Sequence, residues 1–384
     1  MNAPKALRVS KPVKLIFAGG FLGSGKTTAL AALARQLIRR GMKVGIITND
    51  QSENLVDTVI VRQMLSELGV PVEEVVEGCF CCKFDELVNQ MEKILAHHPD
   101  VLMGEPVGSC TDFVAAVANP IKIHYQDAFR FAPFSTLVDP DRVRSLLLSE
   151  SPAHLPEDVS YLFRKQLEEA DLVVLNKTDL LHSEEADRLR SVIAERCPGK
   201  EILSVSAKAG VNMDAWLDLL LSGRPGAGTV LSQIDYDRYA HAEAVLGWLN
   251  SAVRVTPEGS LDAGKFLLDL LTDLRRAFRV QNAEIGHVKC AVTGGGRTVW
   301  ANLTHLEAEP VISDPRFGTL PKGTLLVNAR VHMQPQVLEA IVRDTLAAVC
   351  GRFQARCEID DLQCFSPAYP NPPYLFRGNV LDPA

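Results

Sequence analysis

A chain of 384 residues has room for two domains that each bury a core, and 47% hydrophobic with 23% charged residues is the balance of a soluble globular protein. A formal net charge of -7 with no long Lys/Arg block gives no support for a nucleic-acid surface, and no apolar run reaches the length of a membrane span. Nine cysteines lack the short, even spacing of a secreted framework, and the start "MNAPKALRVSKPVKLIFAGG" lacks a long apolar core with a cleavage site, so a cytoplasmic protein with mostly reduced thiols is expected.

The first element is an apolar strand, "VKLIFAGG" (13–20), followed by a helix with Leu30, Leu33, Ala34 and Leu37 on one face and Gly41 as its stop. Further strands are expected at "KVGIITND" (43–50), "VEEVVEG" (72–78), "DVLMGE" (100–105), "FSTLVD" (134–139), "DLVVLN" (171–176) and "EILSVSA" (201–207). Helical stretches separate most of them, which predicts an α/β fold with a mostly parallel, doubly wound sheet that binds ligands at the carboxyl ends of its strands. The stretch "LSGRPGAGTVLSQ" (221–233) is the best linker in the chain and divides it into domains 1–225 and 226–384. The second reads as a smaller α+β domain with helices on one face of an antiparallel sheet. Its expected order is a strand (about 241–255), a helix (262–279), strands "HVKCAV", "TVWANL" and "TLLVNARV", a helix (335–350) and a strand (355–364). The tail "SPAYPNPPYLFRGNV" is too proline-rich for a helix or central strand and is expected along the surface.

"GFLGSGKTT" (20–28) fits the phosphate-binding pattern G-x-x-x-x-G-K-[ST] and sits between a strand and a helix, as that mechanism demands. Gly20, Gly23, Ser24 and Gly25 let the backbone wrap so that N–H groups face phosphates; Lys26 reaches the β and γ phosphates; the Thr27 hydroxyl ligates Mg²⁺; Thr28 completes the run. "NKTD" (176–179) offers Asn176, the Lys177 stem and the Asp179 carboxylate to guanine, with Asp179 accepting from N1–H and the exocyclic amine. Adenine would leave that carboxylate unpaired. Ser206, Ala207 and Lys208 of "SAK" can bring backbone N–H groups to the guanine oxygen, so the set points to GTP rather than ATP. "EPVG" (105–108) ends a strand, placing Glu105 to serve Mg²⁺ and the Gly108 N–H to meet the γ-phosphate. Asp50 is a second Mg²⁺ candidate, with a helix or turn cap before "QSEN" as its alternative reading.

"EGCFCC" (77–82) packs Cys79, Cys81 and Cys82 into four positions. Closely spaced thiolates suit zinc, cobalt(II) or copper(I). An extended segment would point Cys79 and Cys81 to one face and Cys82 to the other, so a turn at Phe80–Cys82 is needed to converge all three. The fourth position is then open to water, Glu53 or Cys110. A Cys79–Cys82 thiol–disulfide switch and simple packing are the competing readings, and the spacing favours metal. Cys197, Cys290, Cys350, Cys357 and Cys364 read as structural. "TGGGRT" (293–298) reads as a hairpin turn because no helix follows it; His287 and Cys290 should face opposite sides of a strand.

Taken together, "GFLGSGKTT", "EGCFCC", "EPVG" and "NKTD" resemble the CobW branch of the CobW/HypB/UreG family of GTPases over about residues 13–225, with the C-x-C-C element as the specific part. The resemblance implies a P-loop GTPase domain, GTP-dependent handling of zinc or cobalt, and in many members a nucleotide-linked homodimer. Carried over by position, it gives Gly20 to Thr28 to the phosphates, Glu105 to magnesium, Asn176 to Asp179 to guanine, and Cys79, Cys81 and Cys82 to the cargo metal. Where such proteins usually show Asn-Glu-Phe-Gly-Glu, this chain has "NDQSE" (49–53), which keeps acidic residues at Asp50 and Glu53 but not the glycine, and no histidine-rich run separates the domains. The expectation is a GTP-hydrolysing metallochaperone that delivers a transition metal to a client metalloprotein or cofactor pathway. Its chemistry would be water attacking the γ-phosphate with Lys26, Thr27 and Glu105 in the catalytic site, and γ-phosphate contacts would order segments 50–58 and 79–82 together. The alternatives are a GTPase chaperone for a metalloenzyme or cobalamin-dependent enzyme with no metal at the cysteines, and a P-loop kinase or ligase, against which "NKTD" weighs.

Overall fold

The computed structural model describes residues 7, 9–51, 53, 55–148, 155–224, 226, 230–378 and 380; residues 225 and 227–229 of the expected linker lie outside these. The first layer runs β1 (Val13–Gly20), α1 (Lys26–Arg39), β2 (Val44–Asn49), α2 (Val56–Met64), β3 (Val72–Val75), α3 (Phe84–Leu95) and β4 (Val101–Gly104). It continues through α4 (Asn119–His124), β5 (Phe129–Phe131), β6 (Ser135–Val138), α5 (Pro140–Leu147), α6 (Glu157–Glu169), β7 (Leu172–Leu175), α7 (Ser183–Arg196), β8 (Glu201–Ser204) and α8 (Met213–Leu221).

These strands form one sheet in the order β3-β2-β4-β1-β6-β7-β8, with every recorded pairing parallel. The short β5, which sequence reasoning did not find, pairs with Val13–Leu15 of β1, and β6 takes over the same edge at Ala18–Gly20. Burial on both faces explains the near-continuous apolar strands: Leu15 and Phe17 enter the core beneath α3 and α6, while Ile16 and Ala18 enter the one beneath α1 and α8. All the strands therefore deliver their carboxyl ends to one rim of the sheet.

The chain then forms α9 (Tyr236–Ala244), β9 (Gly247–Pro257), β10 (Leu261–Asp262), α10 (Ala263–Val280), β11 (Ile285–Gly294) and β12 (Arg297–Leu303). After β13 (Val311–Ile312) and β14 (Thr319–Leu320) come β15 (Gly323–Val331), α11 (Pro335–Arg352) and β16 (Ala355–Phe365). The second sheet is antiparallel in the order β13-β12-β11-β15-β9-β16, and α10 and α11 cover one face through Phe266, Leu270, Leu274, Leu338 and Val342. The strand expected from about residue 241 is corrected: residues 236–244 are helical because the Asp235 carboxylate accepts from the Asp237 and Arg238 N–H groups and caps the turn. α9 packs on α6 and gives Tyr239 and Ala242 to the first core, so the two cores part between Trp248 and Leu249.

The second sheet turns its other face to α2, where Val56 and Ile60 pack on Ala291 with Trp300 and Leu326 around them. This contact sets the second sheet against the ligand rim of the first. "TGGGRT" is a hairpin: Gly295 and Gly296, at φ 58 and 75, join β11 to β12 in a two-residue turn. Cys350 and Cys357 form a disulfide between α11 and β16, while Cys290 is buried in the second core. The tail from Ser366 to Gly378 has no regular structure and runs back over the first layer, where the Phe376 N–H donates to the Ala115 carbonyl and Asn119 Nδ2 donates to the Phe376 and Gly378 carbonyls. Among the described residues no helix is long and apolar enough to cross a membrane.

Candidate nucleotide and metal site

The phosphate loop spans the gap between Gly20, the last residue of β1, and Lys26, the first of α1. Gly25 caps the helix at φ 92, and a Cβ there would lie 2.5 Å from Asn176 Nδ2. That amide is engaged: Asn176 Nδ2 donates to the Ser24 carbonyl at 2.9 Å and Asn176 Oδ1 accepts from the Ala207 N–H at 3.0 Å. Asn176 thus braces the phosphate loop against "SAK", while Lys177 carries its stem beside Gly25. The Asp179 carboxylate is exposed and accepts from the Ser206 hydroxyl at 2.6 Å; Lys208 lies exposed beside them. Thr28 is half-buried in the first turn of α1.

Lys26 is buried, and its ammonium donates to the Gly20 carbonyl at 2.9 Å. Burial pulls its pKa down, against the upward pull of Glu105. The Thr27 hydroxyl lies 2.8 Å from Asp57 Oδ1 and 3.0 Å from Glu105 Oε1. Burial, helped by the Asp57 charge, pushes the Glu105 carboxyl up to about 7. Glu105 Oε2 is buried with no hydrogen-bond partner among the described residues, and so is Ser24 Oγ. A hydroxyl and two carboxylates, one with an oxygen to spare, are the hard donors that suit Mg²⁺. Gly108 brings the "EPVG" turn onto the loop: a Cβ there would lie 2.7 Å from Leu22 Cδ2.

Asp50 lines the same pocket, but its carboxylate is taken. Both of its oxygens accept from Arg330 Nη2 at 2.8 Å, and Arg330 is fully buried on β15. The acid that joins Glu105 at Thr27 is instead Asp57, in the first turn of α2. Burial raises its carboxyl, and Lys289 more than offsets this to leave it lowered. The second sheet therefore closes the pocket with Trp248, His287, Lys289 and Arg330, opposite Lys26, Glu105 and Gly108.

The cysteines lie one strand further along the rim. A turn over residues 80–83, closed by the Cys82 and Lys83 N–H groups donating to the Cys79 carbonyl, draws the three sulfurs within 4.8 Å of one another. Cys79 Sγ is 2.7 Å from Cys81 Sγ, and Cys81 Sγ is 3.9 Å from Cys82 Sγ. Thiol hydrogen bonds from Cys110, Cys81 and Cys82 hold Cys79 well below the usual thiol range, while donation to Cys79 pushes Cys110 well above it and Cys82 up to about 12, and the bonds with Cys110 and Cys79 push Cys81 well above it. One thiolate hydrogen-bonded by neighbouring thiols is donor chemistry that suits a soft metal ion, whose binding would release the thiol protons. Cys110 faces Cys79 and Cys81, whereas Glu53 is exposed and outside the group.

Two residues given no role in the sequence analysis tie the cysteine turn to the nucleotide rim. Asn49, next to Asp50, donates to the Val75 and Gly78 carbonyls at 2.9 and 2.7 Å and accepts from the Phe80 N–H at 2.9 Å. Glu243, from α9, accepts from Gln51 Nε2 at 3.0 Å and from the Ser109 hydroxyl; burial, then the Cys79 charge, push its carboxyl up to about 8.

Residues 14–204 match the model of the CobW/HypB/UreG nucleotide-binding domain. The chain is 30% identical over 240 residues to a zinc chaperone CobW of Pseudomonas aeruginosa, covering 54% of this chain and 61% of that protein. It is 26% identical over 192 residues to zinc-regulated GTPase metalloprotein activator 1 of Schizosaccharomyces pombe, covering 47% and 43%. The chain thus spans between about two-fifths and three-fifths of these curated relatives. Zinc-bound YjiA GTPase from E. coli is similar at 14% identity and a TM-score of 0.38, over 88% of this chain and 99% of that one. Nickel-bound HypB from Helicobacter pylori is similar at 20% identity and 0.36, over 55% and 86%. On the sequence match, residues 14–204 belong to the CobW/HypB/UreG family as its nucleotide-binding domain.

Proposed function

We propose that the chain is a GTP-hydrolysing metallochaperone that takes up a divalent transition metal at Cys79, Cys81 and Cys82 and hands it to a client metalloprotein. The observation that carries this reading is Asn49: one side chain joins the cysteine turn to the strand end that leads into Asp50 and Gln51 at the nucleotide pocket. Asp179 and the Lys177 stem select guanine, while Asn176 and Gly25 keep the phosphate loop in register with them. Lys26, Ser24 and the loop N–H groups balance charge on the phosphates as water attacks the terminal one. Mg²⁺, held by Thr27, Asp57 and Glu105, supplies charge neutralisation on the phosphate oxygens when bound. A shift of residues 50 and 51 moves Asn49 and the Gln51–Glu243 contact, and with them the geometry of the thiolates.

The zinc named in the curated relatives favours zinc over cobalt as cargo, and the surface of residues 226–384 away from the nucleotide pocket serves the client or a second copy of the chain. The test is a triple serine variant, C79S/C81S/C82S. It should lose tight zinc and cobalt(II) binding and keep GTP binding. Parental metal affinity in that variant would refute the cargo site.

A further inference from the structure

Lys289 belongs to the second sheet yet ends in the nucleotide pocket of the first. It lies on β11, 232 residues from Asp57, and its ammonium donates to both Asp57 oxygens at 2.6 and 2.7 Å. Thr27 shares that carboxylate at 2.8 Å. Two positions earlier on the same face of β11, His287 lines the pocket with a buried Nδ1 that has no hydrogen-bond partner among the described residues. Val288 and Cys290 point the other way into the second core. The strand is pinned where it stands, because Asn328 on the neighbouring β15 accepts from the Val56 N–H at the start of α2 through its Oδ1.

The pocket's cations differ in how firmly they are committed. Arg330 spends its two terminal nitrogens on Asp50, Asn250 and the Leu249 and Ala329 carbonyls. Among the described residues Lys289 donates to one partner, Asp57, and that partner is among the groups that fit Mg²⁺. Once Asp57 serves another cation, this half-buried ammonium needs a new anion, since leaving it unpaired and largely away from water is unfavourable. The terminal phosphate of a nucleoside triphosphate supplies that anion beside Lys26 and Gly108, and a diphosphate does not.

We propose that Lys289 is a nucleotide-binding residue that exchanges Asp57 for the terminal phosphate, so that the second sheet distinguishes a nucleoside triphosphate from a diphosphate. This rests on the GTPase reading above. The fold gives the exchange a consequence: β11 is a central strand of the second sheet, so the presence of the third phosphate is felt where α2 packs on Ala291.

The experiment measures equilibrium affinities of fluorescent GDP and of a non-hydrolysable GTP analogue, both with Mg²⁺, for the parent and for K289M. The analogue should weaken by roughly tenfold or more, the scale of one charge-assisted hydrogen bond. GDP should change by less than about threefold on the same scale. Equal weakening of both nucleotides, or of neither, overturns the proposal, because a purely structural ion pair does not discriminate. If K289M does not fold, hydrogen exchange on the parent decides: residues 286–290 should be protected more by the analogue than by GDP, and equal protection overturns the proposal. A parent chain that binds neither guanine nucleotide refutes the GTPase reading itself.

Discussion

Replacing Asn49 by alanine removes three hydrogen bonds that hold the cysteine turn on the end of β2. The Gly78 carbonyl and the Phe80 N–H lose these bonds outright, while the Val75 carbonyl still receives the Asp50 N–H at 3.2 Å. With the buried Phe80 N–H orphaned at about 1–3 kcal/mol and the half-buried Gly78 carbonyl at about 1 kcal/mol, the substitution should cost about 2–4 kcal/mol. Part of that cost falls on global stability and part on the order of the turn that converges the sulfurs. If half falls on the turn, zinc affinity drops about 5–30-fold, at about 1.4 kcal/mol per factor of ten. Zinc titration of reduced protein against a competing chelator measures the drop, and thermal unfolding measures the remainder. N49D should be at least as damaging, because it sets a carboxylate against the Val75 and Gly78 carbonyls that Asn49 now donates to. A destabilised N49A that binds zinc within about twofold of the parent would refute the reasoning, since the turn would then hold its geometry unaided.

Two further outcomes follow from buried groups. Burial, and then the Asp112 charge, push the Glu169 carboxyl up to about 8 from the ordinary 4.5. The folded chain therefore holds a proton that the unfolded chain releases, and the associated stability is present below about pH 4.5 and lost as pH rises to about 8. At about 1.4 kcal/mol per pKa unit the loss is a few kcal/mol, so E169Q should raise the unfolding midpoint at pH 8 and leave it nearly unchanged at pH 4.5. An equal shift at both pH values would show that the proton is not the cause. G25A puts a Cβ 2.5 Å from Asn176 Nδ2 at φ 92, and should cost about 1–3 kcal/mol and weaken guanine-nucleotide binding at least tenfold, read by melting and by nucleotide titration. Parental nucleotide affinity in G25A would show that the Asn176 brace is dispensable.

Much of the first sheet is legible because its strands are buried on both faces and read as apolar runs such as "VKLIFAGG" and "DLVVLN". The turn that converges the cysteines is legible too, since side-chain alternation alone requires it. β5 is not, because a three-residue strand carries no period and exists only through its pairing with Val13–Leu15. α9 hides because the run from His241 to Trp248 has the apolar content of a strand, and the Asp235 cap that makes its first half helical is a single residue. Asp57, Lys289 and Arg330 escape any linear reading because their meeting depends on how α2 docks against the second sheet. The one signal within reach was the acidic residue in segment 50–58, and Asp50 competed for it.

The central claim is that nucleotide state sets the affinity of the cysteine site. Zinc and cobalt(II) should be titrated into reduced protein holding either GDP or a non-hydrolysable GTP analogue with Mg²⁺, against a competing chelator. The account expects affinities about a hundredfold apart, a coupling of about 2.7 kcal/mol. Equal affinities in the two states would contradict it.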